Sequence, residues 1–316
     1  MGDNNKNEKK ITILGAGNVG ATIAYTFAVA GTCSDVVLID INKEKAKGEA
    51  MDIRQGVSFG HNVTITDGSY DDAAGSAIVV VTLGIARKPG QTRIDLARTN
   101  VNIIREVMPQ LAKVAPDAIY VVVSNPVDII TYTILKCTDL KPQQVIGSGT
   151  ALDTSRLRSA LADHLELNPQ NVHGYVFGEH GDTSFIPWSL VNVAGIPLED
   201  YCASEGHSDI DKDAIVDEVR KAGAEVIKRK GATFYAVSLS VNKICDSILR
   251  DANNTLTVST MLNGKYGIED VCLSLPCVIG GNGIEKELSP SLTEEEVEKL
   301  QASAAALRSV IEQIEI

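Results

Sequence analysis

The sequence predicts an α/β protein whose first half is a doubly wound parallel sheet. Three observations carry that expectation. A short apolar, β-rich run at residues 11–14 is followed by runs without polar interruption at 36–39, 77–81 and 119–123, and continuous rather than alternating apolarity suits parallel strands covered on both faces. Stretches with helical spacing separate these runs, which is the βα alternation of a doubly wound sheet. Finally, the first run feeds straight into Gly15-Ala16-Gly17-Asn18-Val19-Gly20 and then into helix formers from Ala21 to Ala30. Strand, glycine turn and helix in that order give a G-x-G-x-x-G its meaning as a dinucleotide-binding turn. Gly15 permits the tight turn, Gly17 lets backbone approach a pyrophosphate, and Gly20 lets the helix lie close on the strand. The N-terminus of that helix offers free N–H groups and a partial positive charge to the phosphates.

The second run, Val36-Val37-Leu38-Ile39, stops at Asp40, 23 residues after Gly17. That is close to the spacing of roughly 20 residues at which an acidic residue meets the adenosine ribose. A carboxylate there repels a 2′-phosphate, and no arginine follows in Ile41-Asn42, so NAD is favoured over NADP. A helix over residues 43–54 and a short strand at 63–65 continue the alternation. Between the strands at 77–81 and 119–123, Ile94, Ala97, Val101, Ile104 and Leu111 repeat at helical intervals. Pro109 is expected to kink that helix or end its regular part.

In such sheets ligands bind beyond the carboxyl ends of the strands, and three segments there stand out. Residues 82–93 form a loop with Thr82, Gly84, Pro89 and the cations Arg87, Lys88 and Arg93; it is too long for a minimal turn and is a candidate lid. Ser124-Asn125-Pro126 follows the fourth run, where Asn125 can hydrogen-bond a carboxamide. Gly147-Ser148-Gly149-Thr150 precedes a helix carrying Asp153, Arg156 and Arg158. Asp153 and Arg156, three apart, share a face, whereas Arg158 lies about 200° round the helix from Arg156 and faces elsewhere. On spacing alone the Asp153–Arg156 pair reads equally well as a surface ion pair.

Beyond Pro169 the pattern changes. A strand at 172–177 leads into Gly178-Glu179-His180-Gly181-Asp182, where His180 has the placement and titration range of a general acid/base. Helices at 209–230 and 233–248, strands at 255–262 and 271–279, and a last helix at 293–315 complete an α+β half. The last helix opens on a capping box, Thr293 with Glu296. The division expected is a disordered tail at 1–10, an NAD-binding domain at 11–148 and a catalytic, substrate-binding domain at 149–316.

Composition sets bounds on partners and compartment. The net charge of −12 over 316 residues argues against nucleic acid and anionic membrane as partners, because both would be repelled. An anionic substrate would then need local positive charge, which makes individual arginines worth following. The first ten residues are polar, without the apolar stretch of a signal peptide, and no run is long enough for a membrane helix. The six cysteines are scattered without metal-ligand spacing. A cytoplasmic protein with reduced thiols and no metal is expected.

Taken together, Gly15 to Gly20, Asp40, Arg87-Lys88-Pro89-Gly90, Arg93, Ser124-Asn125-Pro126-Val127-Asp128, Gly147 to Arg156 and Gly178 to Asp182 closely resemble the L-lactate/L-malate dehydrogenase family, from Ile11 to the C-terminal helix. The resemblance implies a Rossmann domain followed by a substrate domain, and reversible hydride transfer between NADH and a 2-keto acid. It makes His180 the acid/base, Asp153 the carboxylate that orients it, Arg156 the bidentate grip on the substrate carboxylate and Arg93 the residue that polarises the carbonyl. It adds Asn125 on the nicotinamide side, Thr233 in the substrate pocket, and a cofactor cradle of Gly15, Gly17, Asn18, Val19, Gly20, Asp40, Thr82, Gly84, Ser124 and Asn125.

In that family the loop residue six before the polarising arginine faces the substituent on substrate C3. Here it is Arg87, which would be left desolvated without a partner over a methyl group but pairs with a second carboxylate. Malate/oxaloacetate is the leading expectation. Lactate/pyruvate stands as the alternative, because Ser148-Gly149-Thr150, Asn171-Val172-His173 and Lys230 to Thr233 look like the lactate branch. Arg158 and His173 match a pair that binds fructose 1,6-bisphosphate between subunits, or else persist without responding to it. The resemblance also implies a homotetramer, or a dimer. A protein that senses NAD without turnover is the competing class; the presence of His180, Asp153, Arg156 and Arg93 together speaks against it.

Overall fold

The computed structural model describes residues 9–85, 92–207 and 210–316. Strand β1 (Lys10–Leu14) leads into helix α1 (Asn18–Ala30), β2 (Asp35–Ile39), α2 (Lys43–Gly56), β3 (Thr64–Asp67) and β4 (Ile78–Val81). Then come α3 (Arg93–Val114), β5 (Ile119–Val122), α4 (Val127–Cys137), β6 (Val145–Gly147) and α5 (Ala151–His164). The second half contains β7 (Val172–His173), β8 (Asn192–Val193), β9 (Ile196–Pro197), α6 (Leu198–Glu205), α7 (Lys212–Lys230) and α8 (Tyr235–Leu249). It ends with β10 (Asn254–Asn263), β11 (Glu269–Gly280), β12 (Gly283–Glu287) and α9 (Glu294–Ile314).

The expected α/β class is what forms. Among the described residues one sheet runs β12-β11-β10-β6-β5-β4-β1-β2-β3, parallel from β6 through β3 and antiparallel where β10 joins β6 and the last hairpin extends the edge. Its faces explain the uninterrupted apolar runs. Val79 and Val81 of β4 bury against the layer that includes α3, α4 and α9, while Ile78 and Val80 bury against the layer that includes α1 and α8. A strand covered on both sides has no polar face to alternate with. The direction of strand succession reverses between β1 and β4, and such a switch point opens a crevice at the strands' carboxyl ends. A second, small sheet pairs β7-β8-β9.

Several boundaries differ from the sequence expectation. Lys10, assigned to the tail, already pairs with Asp35 at the start of β1; residues 1–8 lie outside the described part. Pro109 does not end α3, which continues to Val114; Met108 and Leu111 beside it are fully buried, and that packing outweighs the ladder bond a proline deletes. The strand expected at 172–177 shrinks to Val172–His173, because Phe177 and Gly178 pair singly with Phe185 and Ser274 instead. The helix expected from Asp209 begins at Lys212, with Asp211 as its N-cap, and Asp209 lies outside the described residues. Helix α8 begins at Tyr235, leaving Thr233 in the connection before it. Among the described residues no helix is long and apolar enough to cross a membrane.

Candidate active site

The switch point is built by the first glycine turn and the end of β4. Thr82 ties the two together: its N–H donates to Leu14 O at 2.9 Å and its hydroxyl donates to the same oxygen at 2.8 Å. Gly20 lies so close to this turn that an added Cβ would stand 1.8 Å from Gly15 O. Gly17 is the opposite case, since a Cβ there would meet nothing within 4 Å. Gly17 is also the N-cap of α1, with no side chain closing the helix end, and Asn18 and Val19 form its first turn. The free N–H groups therefore face open space, which fits a pyrophosphate. Asp40, half-buried after β2, accepts hydrogen bonds from the N–H groups of Ala16 (2.7 Å) and Asn42 (2.8 Å). Its carboxylate is thereby fixed beside the glycine turn.

Gly84 and Ile85 leave β4 over helix α3. Asn100, which sequence reasoning passed over, holds this exit: its Oδ1 accepts from Ile85 N at 2.9 Å and its Nδ2 donates to Asn125 O at 2.7 Å. The signal was present, since Asn100 is a polar residue on the buried side of α3, flanked by Ala97, Val101 and Ile104. Ser124 is buried and its hydroxyl donates to Val81 O at 3.2 Å, whereas Asn125 is exposed at the cleft. Arg87 and the middle of the expected lid, residues 86–91 of the loop at 82–93, lie outside the described residues.

The catalytic candidates converge from three segments. Asp153 and Arg156 sit in the first two turns of α5, and Arg156 Nη1 donates to Asp153 Oδ1 at 2.8 Å. The other oxygen, Oδ2, is 2.6 Å from His180 Nδ1. The pair read as a surface ion pair on spacing alone is buried: the Asp153 side chain is 9% exposed and that of Arg156 18%. His180 is kept in place by its own loop. Glu179 N–H donates to Ser303 Oγ of α9 at 2.9 Å, and Gly178 exchanges two main-chain hydrogen bonds with Ser274 of β11. Burial alone would lower the His180 pKa, but the charge and hydrogen bond of Asp153, with help from Asp128, raise it above 6.5. Burial alone would raise that of Asp153, yet His180 and Arg156 hold it below 3.8. An imidazole held so, with Nδ1 on a carboxylate, can pass a proton through Nε2.

A cleft of about 450 Å³ opens here, walled by Arg93, Asn125, Asp128, His180 and Asp182 among others. Arg93, first residue of α3, forks onto Asp182, with Nη2 donating to Oδ1 at 3.1 Å and Nη1 to Oδ2. Both side chains are largely exposed, so the pair is weak and open to exchange for a substrate oxygen. Helix α7 packs beside Arg156: a Cβ on Gly223 would lie 3.4 Å from Arg156 Nη2. Thr233 sits in the α7–α8 connection beside Phe234, whose ring lies 3.7 Å from Lys230 Nζ; no described contact joins it to the His180 cluster. Arg158 turns away from Arg156, as its helical offset required. Its Nε donates to the O of Gly174, the residue after His173, at 3.2 Å, and it lies over the Tyr175 ring. Among the described residues no His, Cys, Asp and Glu cluster could hold a metal ion.

Comparison with known proteins agrees with this architecture. Residues 9–147 match the model of the lactate/malate dehydrogenase NAD binding domain, and residues 150–316 match that of the lactate/malate dehydrogenase alpha/beta C-terminal domain. The chain belongs to the lactate/malate dehydrogenase family. It is 45% identical over 316 residues to an L-lactate dehydrogenase of Acetivibrio thermocellus, covering 99% of this chain and 100% of that protein. It is 46% identical over 310 residues to an L-lactate dehydrogenase of a Thermoanaerobacter species, covering 97% and 99%. Among solved structures, a lactate dehydrogenase from a Medee basin deep-sea metagenome library superimposes with a TM-score of 0.94 at 37% identity, covering 98% of this chain and 100% of that one. The minor L-lactate dehydrogenase of Enterococcus mundtii, in a ligand-bound form, gives a TM-score of 0.94 at 38% identity over 97% and 98%. As a member of the lactate/malate dehydrogenase family the protein is an NAD-dependent oxidoreductase acting on small keto and hydroxy acids.

Proposed function

We propose that this lactate/malate dehydrogenase interconverts pyruvate and L-lactate. The hydrogen-bonded cluster of His180, Asp153 and Arg156 carries the chemistry, and the full-length likeness to proteins named L-lactate dehydrogenase favours pyruvate as the keto acid. In this reading Gly15, Gly17, Asn18, Val19 and Gly20 cradle the pyrophosphate, Asp40 takes the ribose hydroxyls, and Thr82, Gly84, Ser124 and Asn125 line the way to the nicotinamide. NADH, when bound, supplies the hydride that reduces the keto carbon. Arg156 grips the substrate carboxylate with two parallel hydrogen bonds that a lysine could not reproduce. Arg93 leaves Asp182 for the carbonyl oxygen and stabilises the charge that develops there. His180 gives that oxygen a proton, and Asp153 stabilises the imidazolium beforehand and orients it. Thr233 borders the pocket.

A second reading rests on Arg87, the residue in the place that faces substrate C3 in this family. Its charge suits the distal carboxylate of oxaloacetate, which makes malate the product. NADH oxidation followed by absorbance separates the two. The lactate reading requires a kcat/KM for pyruvate well above that for oxaloacetate, and the reverse order selects malate. On the malate reading Arg87→Gln moves preference toward pyruvate; on the lactate reading it does not. Turnover with neither keto acid rejects both.

The proposal extends to a cytoplasmic location and to a homotetramer or dimer; the exposed Val226, Ile227, Tyr235 and Leu239 of α7 and α8 support self-association. Arg158 and His173, on the side away from the cluster, form its fructose 1,6-bisphosphate site.

A further inference from the structure

The cofactor cradle lies at the carboxyl ends of the parallel strands. At their amino-terminal ends a second cavity, of about 390 Å³, is lined by Lys9, Ser34, His61, Asn62 and Arg250 among others. Four segments build it. Lys9 precedes β1, Ser34 precedes β2, His61 and Asn62 precede β3, and Arg250 follows α8. Strands β1, β2 and β3 are parallel, so these residues share one edge of the sheet, a strand's length away from Gly17 and Asp40. None of them belongs to the cofactor cradle, the His180 cluster or the Arg158–His173 pair.

The lining carries cations and no carboxylate, against the trend of a chain with a net charge of −12. Arg250 has a structural reason to stand there. Its Nε donates to Asp246, one turn back, and its charge suits the negative end of the α8 dipole. That bond still leaves the two terminal amino groups of the guanidinium for another acceptor. Lys9 has no such reason, since its ammonium pairs with no carboxylate among the described residues. The His61 ring is set into the wall by Gly31: an added Cβ there would stand 2.6 Å from His61 Cγ.

Ser34 adds an observation of another kind. Its main chain is fully used, because its N–H donates to Lys9 O at 3.3 Å and its O accepts from Thr64 N at 2.9 Å. Its hydroxyl, however, is buried without a hydrogen-bond partner, and a hydroxyl left so is disfavoured. A serine hydroxyl turns among three staggered positions, and a ligand oxygen in the cavity gives it the partner it lacks.

We propose that this cavity is an anion-binding site, separate from the catalytic cleft, that takes the phosphate group of a small molecule. A phosphate offers three oxygens to donors converging from different sides: the Lys9 ammonium, the Arg250 guanidinium, the Ser34 hydroxyl and the His61 ring. A carboxylate has two oxygens in one plane and satisfies fewer of them. The volume lies in the range of about 300–1,000 Å³ typical of small-molecule sites, which admits a phosphate ester as well as the free ion. Gly31 and Arg250 are the C-caps of α1 and α8, two helices that pack on each other, so the bound anion ties their ends together.

The test is a titration of the full-length protein with inorganic phosphate and with glycerol 3-phosphate, followed through the His61 ring resonances in NMR, which His61→Gln assigns. Both ligands should move the His61 signals saturably, and sodium chloride at the same ionic strength should not. Lys9→Gln and Ser34→Ala should each weaken binding about threefold or more. Ser34→Ala should do so without lowering the melting temperature of the ligand-free protein, because it removes an unpaired hydroxyl and no hydrogen bond. Arg158→Gln should leave the His61 response intact, which separates this site from the Arg158–His173 pair. Tighter binding of the ester identifies a phosphorylated small molecule as the ligand, and equal binding identifies the ion itself. The inference is overturned by the absence of saturable movement, by an equal response to chloride, or by a response that survives both Lys9→Gln and Ser34→Ala.

Discussion

His180 illustrates how much of a site is decided by groups that never meet the substrate. Its ring contacts Asp153, its main chain contacts Asp128, and its loop is tied to Ser303 and Ser274. Replacing the imidazole should therefore remove proton transfer and little else. His180→Asn is expected to lower kcat about 100- to 10,000-fold while NADH binding, read by fluorescence, stays near the parent; loss of both would mean that the loop had collapsed. From sequence, His180 stood out through its flanking glycines and Asp153 through its spacing to Arg156. Asp128 appeared only as part of a motif, because nothing in a sequence says that a carboxylate in the first turn of a helix is buried. Asn100 was legible in principle, as a polar residue on an apolar helical face, but its partners Ile85 and Asn125 come from two loops distant in the chain.

At the scale of elements, the glycine turn is the feature the sequence announced most clearly, and the structure gives each of its positions a different reason. Gly17 keeps space free for a ligand, and Gly20 removes a side chain that would strike Gly15 O. Gly20→Ala must push α1 off β1, a cost of about 1–3 kcal/mol from overpacking. The expected result is a lower melting temperature together with loss of NADH binding, whereas Gly17→Ala should weaken NADH binding at unchanged stability. Equal effects of the two substitutions in both assays would contradict this division. The parallel strands were legible because burial on both faces writes itself as unbroken apolar runs. The strand expected at 172–177 was not, because Tyr175 and Phe177 are apolar for tertiary reasons: the Phe177 ring meets Phe185 edge-on at 6.1 Å and lies 6.3 Å from Tyr175. Apolarity is a statement about burial, and only periodicity and pairing turn it into a strand.

For the whole molecule, the buried ionisable groups set a pH dependence of stability. His180 has a folded pKa above its ordinary 6.5, so its contribution is complete below that value and is lost as pH rises through the raised pKa. Asp153, held below its ordinary 3.8, contributes above that value and loses the contribution as pH falls. Asp128, pushed up from 3.8 to about 6, stabilises only while protonated and becomes a penalty as pH rises through about 6. The net charge of −12 adds general repulsion on the alkaline side. The melting temperature of the protein without ligand is therefore expected to be higher at pH 6 than at pH 8.5. The Asp128→Asn variant should narrow that difference, and a melting temperature that rises over this interval would contradict the assignment.

The single sheet also has a mechanical consequence. Strand β10, from the second half of the chain, is hydrogen-bonded to β6 of the first, with Ser259 opposite Gly147. The helix carrying Asp153 and Arg156 starts just beyond β6, and the main-chain bond that fixes His180 comes from α4, which begins just beyond β5. The two halves thus share one stiff plank and cannot swing apart like the jaws of a hinged clamp without tearing its ladder. Whatever admits substrate and seals it from water has to be done by short segments moving over an unmoving floor. Evolutionary tuning of such a frame should accordingly appear as edits to loops, with the plank left alone.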